Sequence, residues 1–207
     1  MIPPHDFMLF LAASAALAVA PGPDNLYVLA QSALHGARAG MLVTLGLCTG
    51  LLAHIGAVVL GLAALFRTSA LAFTALKLLG AAYLLHLAWK TFFAARVEPA
   101  QVTQPRRGAW ALYLRGVLMN VSNPKVALFF LAFLPQFSDP SRGPVAAQIV
   151  LLGLSFMLTA LLVFTVIALM AGRIGRWLQR AGAQGLMNRV AGTLLAVLAV
   201  RLLASRP

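Results

Sequence analysis

Apolar residues fall into six runs separated by short polar or helix-breaking stretches. The runs cover about Phe7 to Leu34, Gly40 to Phe66, Ser69 to Phe93, Ala111 to Phe137, Val145 to Ala171 and roughly Leu186 to Leu203, the last being the shortest. A spanning helix needs about 20 predominantly apolar residues. The pattern therefore predicts an all-α membrane protein of about six transmembrane helices. Ala94 to Gly108 is the longest polar linker, and Ser138 to Pro144 reads as a tight turn. Gly172 to Arg189 has room for a short helix at headgroup level, with Arg173, Arg176 and Arg180 on one face beside Trp177. A solvated loop is the alternative there.

Two of the runs are interrupted near their middles. The first carries APGPDN (Ala20 to Asn25) and the fourth carries NVSNPK (Asn120 to Lys125). Proline has no N–H and clashes with the preceding turn, so it kinks or ends a helix. In lipid each backbone group freed this way costs several kcal/mol unless it is satisfied. The breaks must then be buried in protein or line a wet cavity. Pro23 and Pro124 each suit the first position of a new half-helix, with Pro21 and Gly22 opening the first break.

The breaks also correspond. A register shift of 101 places Pro23 on Pro124 and Asp24 on Lys125. The chain then reads as one membrane domain over residues 1–207, with one half over about 1–93, a cytoplasmic linker over about 94–110 and a second half over about 111–207. Three spans per half force the halves into opposite orientations, so the expectation is two inverted three-helix repeats with helices 1 and 4 broken. Paired, interrupted spans in matching positions are a pointer to a transporter's binding site.

Composition agrees with the pattern. Of the 207 residues 61% are hydrophobic and 10% charged, against roughly 45–50% and about 25% in soluble domains. The net charge of +12 does not indicate nucleic-acid binding, because the basic residues cluster in gaps between apolar runs. The first, third and fifth connections hold Arg38, then Arg96, Arg106 and Arg107, then Arg173, Arg176, Arg180 and Arg189; the tails and remaining connections hold only Arg67, Arg142 and Arg206. The positive-inside rule places the odd connections in the cytoplasm and both termini outside. The N-terminus lacks the basic n-region of a signal peptide, so its apolar run is expected to be an uncleaved first span. Cys48 is the single cysteine, so no intramolecular disulfide or Cys-x-x-Cys pair can form. No metal site or cofactor is indicated.

Candidate chemistry concentrates at the breaks. Asp24 is the only acid clearly within a span, and an intramembrane charge is functional by default. Lys125, at the matching position of the other half, is its first candidate partner, and Lys77 in the third span is the second. An amino acid carries both signs. Lys125 and the half-helix N-termini would suit its carboxylate, and Asp24 its ammonium. Asp24 could instead carry a coupling proton, pair structurally with a lysine or act as a helix cap. Asn25, Asn120, Ser122 and Asn123 either bind cargo or satisfy the broken backbone. His54 and His86 lie within spans and are expected to pack through hydrogen bonds, with proton relay as the alternative. Arg115 and Lys90 are expected to snorkel. Small residues four apart, Gly36 and Gly40, Gly46 and Gly50, then Ala53, Ala57 and Gly61, suit close helix packing within a bundle or at a homodimer interface.

PGPDN, the G-x-R-x-G at Gly36 to Gly40, and NPK about 100 residues later resemble the LysE/RhtB family of amino-acid exporters, and the resemblance covers essentially the whole chain. It implies efflux of amino acids or their derivatives across a bacterial inner membrane, driven by proton antiport. The motif positions it implies are Pro21, Gly22, Pro23, Asp24 and Asn25, then Asn123, Pro124 and Lys125. Family cargoes include lysine, arginine, threonine, homoserine and cysteine-related compounds. A cationic cargo would favour further intramembrane acids; with Asp24 alone, a neutral amino acid is favoured. Alternatives are a transporter of another small solute or ion, and an intramembrane enzyme. The first lacks a metal-ligand cluster within the spans, and the second lacks any motif that fixes a nucleophile beside a base.

Overall fold

A computed structural model describes residues 2–20, 22–68, 70–93, 107–178 and 183–204, with backbone alone for 62–68, 70–73, 76–77, 175–178, 183, 201–202 and 204. Among the described residues the chain is helical throughout, without strands. The first apolar run forms two helices, α1 (Pro4–Val19) and α2 (Pro23–His35). They are inclined by 59° across the Gly-Pro break. The second and third runs form α3 (Ala37–Thr68) and α4 (Ala70–Phe92). The fourth begins as α5 (Ala109–Val121) and restarts as α6 (Pro124–Leu128), continuing to Phe137 at 47° to α5. The fifth run forms α7 (Val145–Leu169), followed by α8 (Ala171–Leu178) and α9 (Ala183–Ala204). α3 and α7 are each long and apolar enough to cross a membrane alone, over Ala37–Gly61 and Val145–Leu169, and each bent pair suffices jointly. α9 has a shorter apolar stretch, Gln184–Val200.

Both breaks start their second helix in the same way. Gly22 (φ −163°, ψ 175°) and Asn123 (φ −79°, ψ 107°) are extended N-caps, and Pro23 and Pro124 occupy the first helical position. There the missing N–H costs nothing, because it would have no intrahelical partner. The remainder of the fourth run departs from an ordinary helix. Phe129–Phe133 winds as a π-helix and Leu134–Phe137 as a 3₁₀ turn. Pro135 has no N–H for the Leu131 carbonyl, and its ring would collide with it; widening the preceding turn relieves both.

α3 runs through the middle, packed on α5, α7 and α2; α4 packs on α9, and α1 on α7 and α9. The close α3–α5 approach depends on glycine. A Cβ at Gly46 would strike the Tyr113 carbonyl oxygen, and one at Gly116 the Val43 carbonyl oxygen. Gly40 and Gly50 are likewise filled in by Ser32 and Asn120. Gly40, Gly46 and Gly50 thus serve packing within the chain, while Gly36, at a left-handed turn, has open space around it and Ala53 and Ala57 are exposed. Phe10, Phe129, Phe130, Phe133 and Phe156 form a continuous aromatic core, with ring centroids 4.9–6.2 Å apart between α1, the π segment and α7. It lies directly behind the second break.

Candidate functional site

The two breaks meet. Asp24, on the first turn of α2, is buried, and its Oδ2 accepts a hydrogen bond from Asn123 Nδ2 at 2.8 Å, 99 positions away in sequence. The Asn123 Oδ1 accepts from the Lys125 backbone N–H at 3.0 Å, capping α6. The amide is therefore oriented by two partners of opposite kind, and rotating it by half a turn would break both bonds.

The carbonyls freed by the breaks are answered by side chains. Asn25 Nδ2 donates to the Ala18 oxygen at 2.6 Å. Lys125 Nζ donates to the Ala20 oxygen at 2.8 Å. His54 Nε2 sits 3.0 Å from the Asn120 carbonyl oxygen, which fixes that nitrogen as the donor. This is the accounting that lipid demands of any broken backbone. It assigns a structural duty to Asn25 and His54, the packing role expected of His54. Which carbonyl His54 reaches is not legible in the sequence, because a contact between α3 and the end of α5 has no local signal. The exposed Ser122 Oγ donates to the Leu118 oxygen at 2.7 Å, but that carbonyl also keeps the Ser122 backbone N–H and is not one the break frees.

Among the described residues, two buried oxygens at the breaks have no partner: Asp24 Oδ1 and Asn120 Oδ1. Both residues line one cavity with Gly22, Asn25, Asn123 and Lys125, closed on its apolar side by side chains including Leu47, Leu51 and Phe156. It offers about 20 Å³ to water centres. A water needs roughly 10–15 Å³ by that measure, so the cavity admits a water and no amino acid. Unpaired buried acceptors cost about 1–3 kcal/mol each, and they call for a donor: a water, a proton or an ammonium.

Lys125, the expected direct partner of Asp24, lines the same cavity, but no ion pair joins them among the described residues. Its ammonium instead lies at the carboxyl end of α1, where a cation is favoured, within 3.6 Å of the space a Gly22 Cβ would take. Asn123 takes the place beside Asp24 that sequence register assigned to the lysine. Lys77 lies on α4, but its side chain is outside what the structure describes, as is Pro21. His86 is exposed beside Tyr83, apart from the breaks. Arg115 and Lys90 are exposed, as snorkelling requires. Arg176 and Trp177 are described by backbone alone and Arg180 lies outside the described residues, but α8 supplies the short helix expected between the last two runs.

Comparison with known proteins agrees with the motifs. The chain is 32% identical over 197 residues to a homoserine/homoserine lactone efflux protein of Salmonella typhimurium, covering 95% of both chains. It is 28% identical over 200 residues to the membrane protein YrhP of Bacillus subtilis, covering 92% of this chain and 95% of that one. It is 32% identical over 190 residues to a membrane protein of Vibrio cholerae, covering 92% of both. No solved structure matches. The model of the LysE type translocator family matches residues 15–206, and the chain belongs to that family.

Proposed function

We propose that this protein exports amino acids, or close derivatives, across the bacterial inner membrane, with cargo held where the two helix breaks meet. The observation that carries the reading is the buried cavity in which Asp24 and Asn120 each present an oxygen with no partner among the described residues, beside the Lys125 ammonium. An α-amino acid matches this set: its ammonium would bond Asp24 and Asn120, and its carboxylate would draw Lys125 away from the Ala20 carbonyl. At about 20 Å³ the cavity is closed and has to widen for cargo to enter, which suits alternating access around a fixed midplane site. A relative named for homoserine efflux, together with a single acid at the site, favours a cargo with a neutral side chain.

The inverted repeat is part of this reading. α3 packs on α7 and α4 on α9, pairs that a pseudo-two-fold would map onto themselves. α3 packs on α5 and α7 on α1, pairs that it would exchange. Sidedness fits as well. Arg142 of the fourth connection pairs with Asp6 of the N-terminal helix at 3.6 Å, while His35, Arg38 and Arg107 from the first and third connections line one pocket. The termini are then periplasmic and the arginine-rich connections cytoplasmic. Coupling is assigned to proton antiport, with Asp24 as the group that carries either a proton or the cargo ammonium.

The test is release of amino acids from cells loaded by dipeptide feeding. Asp24→Asn and Lys125→Ala are expected to insert normally and to lose export. Full export by both would remove the site from the breaks. Collapsing the proton gradient at constant internal amino-acid level is expected to stop export, and undiminished release would rule out proton coupling.

A further inference from the structure

A second polar cavity lies away from the helix breaks. It has a volume of about 280 Å³ and is lined by His35, Arg38, Ala39, Leu42, Arg107, Gly108, Ala109 and Leu112. The elements that build it are the end of α2, the start of α3 and the start of α5. Its lining combines two arginines and a histidine with the apolar Ala39, Leu42 and Leu112.

No carboxylate neutralises this cluster among the described residues. The whole chain has four acidic residues. Asp6 and Asp139 pair with Arg142 in another region, Asp24 is buried at the helix breaks, and the fourth, Glu98, lies outside the described residues. The ion pairs of the described residues include neither Arg38 nor Arg107. Gly108 caps α5 without a side chain, so the first N–H groups of that helix add to the positive field.

The depth of the cavity is marked independently. Trp110, on the first turn of α5, is 71% exposed and stacks on Tyr113 with ring centroids 5.3 Å apart. Exposed Trp and Tyr pairs of this kind sit at the headgroup level of a bilayer. The neighbouring ends of α2, α3 and α5 then lie at the same level, on the side where arginines dominate the connections.

We infer that this cavity binds the phosphodiester headgroup of an anionic phospholipid from the arginine-rich leaflet. A phospholipid has the same polarity as the cavity, with an anion at one end and hydrocarbon at the other. Guanidinium groups are suited to phosphate because they present paired donors in a planar fork. Basic pockets between spanning helices at a cytoplasmic surface are a general form of lipid-headgroup site. A free anion would meet the arginines but leave the half-buried Leu42 uncovered. The inference is independent of which solute the transporter carries.

The experiment is native mass spectrometry of the full-length protein released from mixed micelles of phosphatidylglycerol and phosphatidylcholine. The wild type is expected to retain phosphatidylglycerol in preference to phosphatidylcholine. Arg38→Gln and Arg107→Gln are each expected to weaken that preference roughly fivefold, and the double variant about 25-fold. Arg173→Gln, which alters an exposed arginine of α8, is the control and should leave the preference unchanged. Arg107→Lys keeps the charge but loses the planar fork and should retain a preference between those of the wild type and Arg107→Gln, so a loss caused only by misfolding is distinguished from loss of the site. Equal retention of the two lipids by the wild type overturns the inference, as does an equal effect of Arg173→Gln. Displacement of phosphatidylglycerol by an equimolar amount of inorganic phosphate also overturns it, because the site would then be one for a free anion.

Discussion

Two aspartates stand beside prolines at helix starts, and the molecule treats them differently. Asp139 precedes Pro140 in the exposed turn before α7. Its Oδ1 accepts the Ser141 backbone N–H at 2.8 Å and the Ser141 hydroxyl at 2.7 Å, and its Oδ2 accepts Arg142 Nε at 3.0 Å. Every one of those partners lies within three residues. Asp24 follows Pro23 in a buried helix break. It is held by Asn123 from the other half of the chain, and its second oxygen has no partner among the described residues. An aspartate whose task is to cap a turn collects its partners from that turn. Asp24 collects none from its own helix, so a capping role does not account for it.

The strongest way to test this contrast is to neutralise each acid without changing its shape. Asp24→Asn keeps a carbonyl oxygen for Asn123, so folding should be nearly unchanged. It removes the charge that would hold an ammonium or a proton. Export should fall at least about tenfold, equivalent to losing one charge-assisted hydrogen bond of 1.5–3 kcal/mol. Asp139→Asn should leave export at the wild-type level. Amino-acid release, normalised to the amount of protein in the membrane, measures both. Equal effects would erase the distinction between the two acids.

Asn123 carries the next largest expectation, because it joins the breaks. Asn123→Ala removes the cap of α6, worth about 0.5–2 kcal/mol, and leaves Asp24 Oδ2 without its donor, which adds about 1–3 kcal/mol. Both melting temperature in detergent and export should drop. Asn25→Ala sharpens the comparison from the other side. Asn25 lines the cavity but spends its amide on the Ala18 carbonyl. Its loss should cost about 1–3 kcal/mol of stability with export per molecule retained. Export lost at unchanged stability would move Asn25 from the backbone's support to the cargo's.

The sequence made the helices and their breaks visible and left their mutual contacts hidden. Long apolar runs and paired prolines are local properties, so each run is helical where it is described and both breaks appear, with two helices long enough to span alone and up to four spans if each bent pair counts as one. Asp24 stood out because a lone acid in an apolar run is costly. Its partner did not stand out. Internal register aligned Asp24 with Lys125, but equivalent positions in a repeat need not touch, and the residue two places earlier makes the bond. The π-helix before Pro135 escaped notice as well, since an apolar stretch reads the same at either pitch. The use of each polar side chain at a break depends on which carbonyl the neighbouring helix end leaves free, and only the packed bundle determines that.

The smallest expected effect concerns how Asp139 is satisfied. Bonds from the Ser141 hydroxyl and backbone N–H, aided by Arg142, hold its carboxyl below the usual carboxylate range. A carboxyl depressed in the folded state stabilises the fold at pH above its unfolded value, and that contribution is lost as pH falls through the lowered folded value. Ser141→Ala removes the hydroxyl bond and keeps the N–H bond, so the carboxyl should rise part of the way towards its ordinary range. Melting temperature measured against pH should then show the wild type slightly ahead at neutral pH, with the gap closing in acid once Asp139 is protonated in both proteins. A gap that widened in acid would mean the turn does not favour the ionised acid. Export at neutral pH should be unaffected, because the satisfied carboxylate has nothing left to offer a cargo. If Ser141→Ala instead abolished export in a stable protein, the division between a capping acid and a binding acid would fail at its simpler end.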